Sequence, residues 1–354
     1  MRKKGVSGLK VAATYIGTVV GAGFATGQEV LQFFNRFSKM GLVGIIVATI
    51  MFIIFGYIIM DLGMKLRSRS HQEIINHSAG SIFGIFLDLL ITFFLFGSFT
   101  AMIAGAGAMF AQQFNVSSSV GNILMAVITA ITVMTGINGV INSISFVVPF
   151  LLATVVGTGI LSFFNAQPDI TTTVVNIDES LLISNWFMAA ALYVSYNIIV
   201  SVAVLGPLGS EAKDNKSIRK GAIFGGLGLG LGAVMIYLTL SSNIVELSKY
   251  EVPMIEVAGR ISYTAQIIYA VVLVAEIYTT AVGALYGFIS RVIDFQQGSH
   301  KSRLVIIIVS IAALLASQFG FSNIVKFLYP AVGYGGIVFL ICLLRSSIRV
   351  HIKF

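Results

Sequence analysis

The chain has 354 residues; 57% are hydrophobic and only 10% are Asp, Glu, Lys or Arg, against about 25% charged in a soluble domain. With a mean hydropathy of +0.95, it lacks the polar groups to cover a soluble surface, which excludes an ordinary cytosolic enzyme and a disordered chain. The net charge of +8 resides in short basic clusters between long apolar runs, a pattern of membrane topology that gives no support to a nucleic-acid partner.

A bilayer-spanning helix needs about 20 mostly apolar residues. In chain order, ten runs are predicted as spans: 9–34, 41–66, 81–114, 119–135, 141–164, 185–208, 220–240, 263–293, 302–317 and 323–344. The alternating segments of a membrane barrel would be about ten residues long, so the fold is predicted to be an all-α integral membrane protein. The first run follows Met-Arg-Lys-Lys, as a signal peptide would. It is too long for one and carries Gly17, Gly21, Gly23 and Gly27 with Gln28 and Glu29, so it reads as a retained first span.

With the N-terminus inside, most of the 22 Lys and Arg fall on the cytoplasmic side. Only Arg36, Lys39, Lys249, Arg260 and Lys326 fall outside. That distribution fits a plasma-membrane protein with both termini cytoplasmic. The segment 165–184 holds Pro168, Asp169, Asp178 and Glu179 without Lys or Arg, and is predicted to be an external connector. It separates 1–164 from 185–354, five spans from five. Because five is odd, a fold shared by the halves would be inverted, the arrangement of many secondary transporters.

Spans one and six carry the signals of broken helices. The first has four glycines between Gly17 and Gly27; the sixth has Tyr193-Val-Ser195-Tyr196-Asn197 at its middle and Gly206-Pro207 near its end. A break frees backbone groups that can bind ions or polar ligands. The alternative reading is close helix packing by small residues in span one and ordinary polar packing in span six. Phe24, Ser195, Tyr196 and Asn197 are the side chains at these positions that could contact a solute, with Tyr334 covering the site from outside.

Carboxylates within a span are functional candidates by default. Glu276 lies mid-span, one turn before Thr279 and Thr280. It could carry a coupling proton, add charge to a cation site, or rest neutral against a neighbouring hydroxyl. Glu29 lies on the outer half of span one. Asp88 and Asp61 receive no role. Cys342 is alone and the four histidines lie in connectors or the tail, so a metal site of nitrogen and sulfur ligands is not expected.

At these residues the chain resembles the LeuT-fold transporters of the amino acid–polyamine–organocation superfamily, and within them the bacterial YkvI-type membrane proteins. The resemblance covers the whole chain and is carried by Gly17-x-x-Val20-Gly21-x-Gly23 and by Glu276-Ile-Tyr-Thr279-Thr280. It implies a five-plus-five inverted repeat with helices one and six broken. It implies a Na+ site built from the Gly17 and Val20 carbonyls, the Glu276 carbonyl and the Thr279 and Thr280 hydroxyls, hard oxygen ligands suited to such an ion; the competing reading is that the two threonines bond back to carbonyls one turn earlier. The amides of Gly21, Ala22 and Gly23 would face an anionic substrate group. Sodium-coupled relatives do not require an acid at position 276, so Glu276 leaves Na+ and H+ both open. Glu29 and Lys326 would line the outer vestibule as a gate, with Glu29 binding a substrate amine, or both charges being solvated, as the competing readings. Arg2 and Asp294 would form the inner gate.

The expected function is therefore a cation-coupled secondary transporter for a small solute, an amino acid or related amine or carboxylate. A channel or facilitator and a ligand-sensing receptor on the same fold are the rivals. No GxxxxGK[ST] motif or nucleophile–base pair at membrane depth is present, so neither an ATP-driven pump nor an enzyme is expected. No cofactor beyond Na+ and no obligate protein partner is implied.

Overall fold

The computed structural model describes residues 5–68, 71–135, 150, 153–164, 182–293 and 299–352. Among these residues the chain is helical, with one isolated bridge between Val6 and Ala212. The first predicted span is three short helices, α1 (Gly8–Val19), α2 (Ala22–Ala25) and α3 (Gln28–Phe33). There follow α4 (Lys39–Leu66), α5 (His71–Ala79), α6 (Ser81–Phe114) and α7 (Ser118–Met134). Next come α8 (Ala153–Phe164), α9 (Trp186–Glu211), α10 (Asn215–Ser241) and α11 (Ile244–Leu247). The chain closes with α12 (Pro253–Ile261), α13 (Tyr263–Val292), α14 (His300–Ala316) and α15 (Phe321–Ile352).

Seven of the described helices are long and apolar enough to cross a membrane, and α7 and α8 are shorter apolar helices. Part of the predicted fifth span, and most of the predicted connector 165–184, lie outside the described residues. Helix ends follow local chemistry. The Asn185, Asp214 and Ser262 side chains accept backbone N–H bonds from Met188, Ser217 and Ala265 at 2.9, 2.7 and 3.0 Å, satisfying donors that the first helical turn leaves free.

Helix α9 occupies the centre, packed between α4 and α15 and mostly buried, whereas α6 and α14 are mostly exposed at the periphery. The peripheral helices present apolar rows outward, such as Ile46, Ile50 and Ile54 on α4 and Ile85, Leu89 and Phe93 on α6. A face of this extent requires lipid rather than water.

Span one is clasped by glycines. Added β-carbons at Gly221, Gly225, Gly228 and Gly232 of α10 would strike Val11, Tyr15, Ile16 and Phe24, while those at Gly226 and Gly230 would strike Ile53 and Thr49 of α4. Helix α10 thus has two small-residue faces, which let three helices pack at close range. Tyr15 lies between Gly225 and Gly56 and donates to the Phe52 carbonyl at 2.7 Å.

Candidate functional site: a broken first span between two buried carboxyl groups

The ladder of α1 ends where the Val20 N–H reaches the Ile16 carbonyl at 2.8 Å. Val20 and Gly21 are then extended (φ −70°, ψ 120° and φ −130°, ψ −177°) before α2 begins. The carbonyls of Gly17 to Val20 consequently close no backbone bond. Aligned at a helix C-terminus, they carry the partial negative charge that favours a cation. A second interruption follows at Gly27, whose φ of +86° is left-handed and favours glycine. The pieces are held from outside: Tyr269 of α13 donates to the Ala25 carbonyl at 2.6 Å, Met254 N–H to the Thr26 carbonyl at 3.2 Å, and Gln28 Nε2 to the Tyr250 carbonyl at 2.8 Å. The predicted break in span one is therefore present, at the glycines that signalled it.

Helix α13 runs beside this break. A β-carbon on Gly21 would stand 3.7 Å from the Thr280 hydroxyl oxygen. Thr279 donates to the Glu276 carbonyl at 3.1 Å, a bond that leaves lone pairs on both oxygens. The Glu276 carboxyl group lies by the Thr279 and Thr280 hydroxyls. It is 2% exposed, and its Oε2 has no hydrogen-bond partner. Among the described residues no three His, Cys, Asp or Glu side chains converge as a metal cluster, so a cation here would be held by carbonyl, hydroxyl and single-carboxylate oxygens.

The other carboxylate approaches from α3. Glu29 Oε1 occupies the space that a β-carbon on Gly23 would take. Glu29 is 5% exposed, and its Oε2 is unpartnered. Facing it is the hydroxyl of Tyr196 on α9, also buried and unpartnered. The two interact electrostatically without closing a hydrogen bond of good geometry. The Tyr196 ring is the hub of an aromatic cluster, with centroids of Tyr329, Phe33, Tyr193 and Phe94 at 5.0, 5.7, 5.7 and 5.9 Å.

Span six corrects the sequence-based expectation, because α9 runs unbroken from Trp186 to Glu211 through both suspected break points. Its Ser195, Asn197 and Ser201 side chains are engaged within the bundle. Ser195 donates to the Leu192 carbonyl at 2.9 Å and lies 2.7 Å from the Gly333 carbonyl of α15; Asn197 Nδ2 donates to Tyr193 at 2.9 Å, and Ser201 to Asn197 at 2.6 Å. Such back-bonding engages the side chains locally and leaves their donors unavailable to a solute. Of the three span-six candidates, only Tyr196 offers an unpartnered group toward span one. Phe24 packs its ring tip against Gly232 of α10, and Tyr334 is exposed and donates to the Leu182 carbonyl at 2.7 Å.

The proposed gate residues are placed as follows. Glu29 and Lys326 form no ion pair in this conformation; the Lys326 ammonium stands 5.3 Å from the Phe327 ring centroid. Arg2 and Asp294 lie outside the described residues. Asp61 pairs with Lys65 at 2.9 Å and accepts from Asn215 at 2.8 Å. Asp88 pairs with Arg291, joining α6 to α13, with the His71 ring 3.4 Å away. Burial, followed by the Arg291 charge, pushes the His71 pKa below its ordinary 6.5, with Asp88 opposing.

Sequence reasoning missed Tyr329, Phe94 and Phe33, which meet Tyr196 from α15, α6 and α3. It also missed the α10 glycines, although the spacing 221, 225, 228, 232 marks one helix face.

This architecture is that of known membrane transport proteins. The inward-facing conformation of Mhp1 matches with a TM-score of 0.64 and 16% identity, over 95% of this chain and 76% of that one. MhsT in complex with L-phenylalanine matches with 0.64 and 16%, over 98% and 93%. The substrate-bound outward-open state of a Na+-coupled sialic acid symporter matches with 0.58 and 16%, over 90% and 76%. No protein-family model matches the chain. The class defined by fold and break is thus a multi-pass membrane protein with the LeuT fold.

The uncharacterized membrane protein YkvI of Bacillus subtilis (strain 168) is 30% identical over 338 residues, 96% of this chain and 95% of its own. The uncharacterized protein YyaD of the same organism is 30% identical over 343 residues, 97% of each. The chain belongs to the family of these YkvI- and YyaD-like membrane proteins.

Proposed function

We propose that the protein is a secondary active transporter in which a Na+ or H+ gradient drives symport of a small solute, an amino acid or a related amine or carboxylate. The observation that carries this reading is the break in span one, where the carbonyls of Gly17 to Val20 are released and Gly21 faces the Thr280 hydroxyl, itself by the Glu276 carboxyl group. The MhsT structure contains L-phenylalanine and the sialic acid symporter is Na+-coupled, and both share this fold. In the proposed scheme the Gly17 and Val20 carbonyls, the Glu276 carbonyl and the Thr279 and Thr280 hydroxyls take the cation. Glu276 is the proton carrier if the ion is H+. The solute lies beside it at the membrane midplane, against Gly21, Ala22, Gly23 and Tyr196.

Ten spans in two inverted halves, 1–164 and 185–354 with both termini cytoplasmic, complete the proposal. Solute and cation together stabilise the closed form, and that differential affinity couples the two movements. Solute uptake into proteoliposomes under imposed Na+ and proton gradients tests the reading: accumulation supports it, and gradient-independent equilibration refutes it.

A further inference from the structure

The group at this centre that the cation scheme leaves unused is Glu29. Its carboxylate is buried, Oε2 has no partner, and among the described residues no Lys, Arg or His forms an ion pair with it. An ionised carboxylate out of water is costly unless an opposite charge meets it. Glu29 is nevertheless built in: the missing β-carbon of Gly23 makes its seat, and the left-handed turn at Gly27 separates α3 from α2. The second unpartnered polar atom, the Tyr196 hydroxyl, faces the same place.

The surroundings select the kind of cation. The ring centroids of Tyr329, Phe33 and Phe94 lie 5.0, 5.7 and 5.9 Å from that of Tyr196, and Phe94 and Tyr329 lie 5.3 Å from each other. A hard metal ion asks for several oxygen ligands, whereas aromatic faces attract a weakly hydrated organic cation. One carboxylate and the hydroxyls of Tyr196 and Tyr329 among four rings therefore suit an ammonium group attached to an apolar body.

We propose that Glu29, seated on Gly23 and backed by Tyr196 and Tyr329, is the subsite for the solute's ammonium group, so that the transported solute is an organic amine or amino acid rather than a simple carboxylate. The inference deepens the transport reading and rests on it. The Glu29 carboxylate neutralises the ammonium, the Tyr196 hydroxyl bonds the carboxylate or the solute, and the rings cover the apolar body.

The test uses the full-length protein in lipid nanodiscs and equilibrium binding of two probes of like shape and opposite charge, phenethylamine and 3-phenylpropionate, with MnCl2 as a hard-cation control. Wild type is expected to bind phenethylamine and not 3-phenylpropionate. Glu29→Gln should weaken phenethylamine by about thirtyfold or more, as removal of one member of a buried charge pair does. Gly23→Ala, which keeps the charge but removes its seat, should weaken it as well, so the result does not hang on one variant's folding. Preferred binding of 3-phenylpropionate, phenethylamine affinity unchanged in Glu29→Gln, Glu29-dependent binding of Mn2+ alone, or no binding of either organic probe by folded wild type would each overturn the assignment. Amine binding without gradient-driven uptake would preserve this subsite and defeat the transport reading, so the two fail separately.

Discussion

The carboxylate of Glu29 stands where Gly23 lacks a β-carbon. The two residues are six apart in a span that never forms one continuous helix, and the left-handed turn at Gly27 lies between them. This relationship explains why span one carries so many glycines. Gly21 lies in the extended break, Gly23 seats the acid, and Gly27 turns the chain.

Gly27→Ala is expected to destabilise the protein. A left-handed conformation costs an L-residue about 1–2 kcal/mol, and the added carbon would also meet Met254. A lowered thermal midpoint in detergent checks this. An unchanged midpoint would mean that the turn relaxes without cost.

Thr280→Ala should weaken cation-dependent solute binding by about tenfold, equivalent to about 1.4 kcal/mol, and leave cation-independent binding unaltered. Thr280→Ser should restore it, because the hydroxyl is the ligand. Titration of Na+ at fixed pH, and of pH without Na+, measures the effect. Glu276→Gln should abolish the pH dependence of binding if H+ is the coupling ion and preserve it if Na+ is.

Ser195→Ala should cost about 1 kcal/mol of stability and leave solute affinity unchanged, because its hydroxyl is engaged by the Leu192 and Gly333 carbonyls. Thermal unfolding paired with a binding isotherm separates the two effects. A selective loss of affinity would return Ser195 to the binding site.

The His71–Asp88–Arg291 cluster makes stability depend on pH. Because the folded-state pKa of His71 is lowered below 6.5, the unfolded chain takes up the proton first as pH falls. The contribution is intact above about 6.5 and is lost as pH falls from there through the folded value. Unfolding midpoints between about pH 8 and about pH 5 should decline on the acid side, and His71→Gln should flatten that decline. A slope unaltered in the variant would assign it to other groups.

The bilayer, the course of the helices and the break in span one were legible because each is written locally, in apolar run length and in glycine spacing. Span six misled because Ser195, Asn197, Gly206 and Pro207 have the composition of a break. Their polar side chains find carbonyl acceptors within the bundle, and dense packing against α4 and α15 keeps that helix intact, because packing outweighs local propensity. The Glu29–Tyr196 site was half legible. A carboxylate at membrane depth announces itself, but the meeting of Phe33, Phe94, Tyr196 and Tyr329 joins four distant helices, a convergence that no local pattern encodes.

The central claim is that a cation gradient moves a solute through this fold. Purified protein reconstituted in sealed proteoliposomes and supplied with labelled L-phenylalanine, the ligand present in the MhsT structure, and with labelled phenethylamine, measures it most directly. The account predicts that at least one probe accumulates above its external concentration under an inward Na+ or proton gradient, that collapsing the gradient abolishes accumulation, and that Thr280→Ala or Glu276→Gln impairs it. Equilibration at the same rate with and without either gradient, or no uptake by protein that binds the probe, would contradict it.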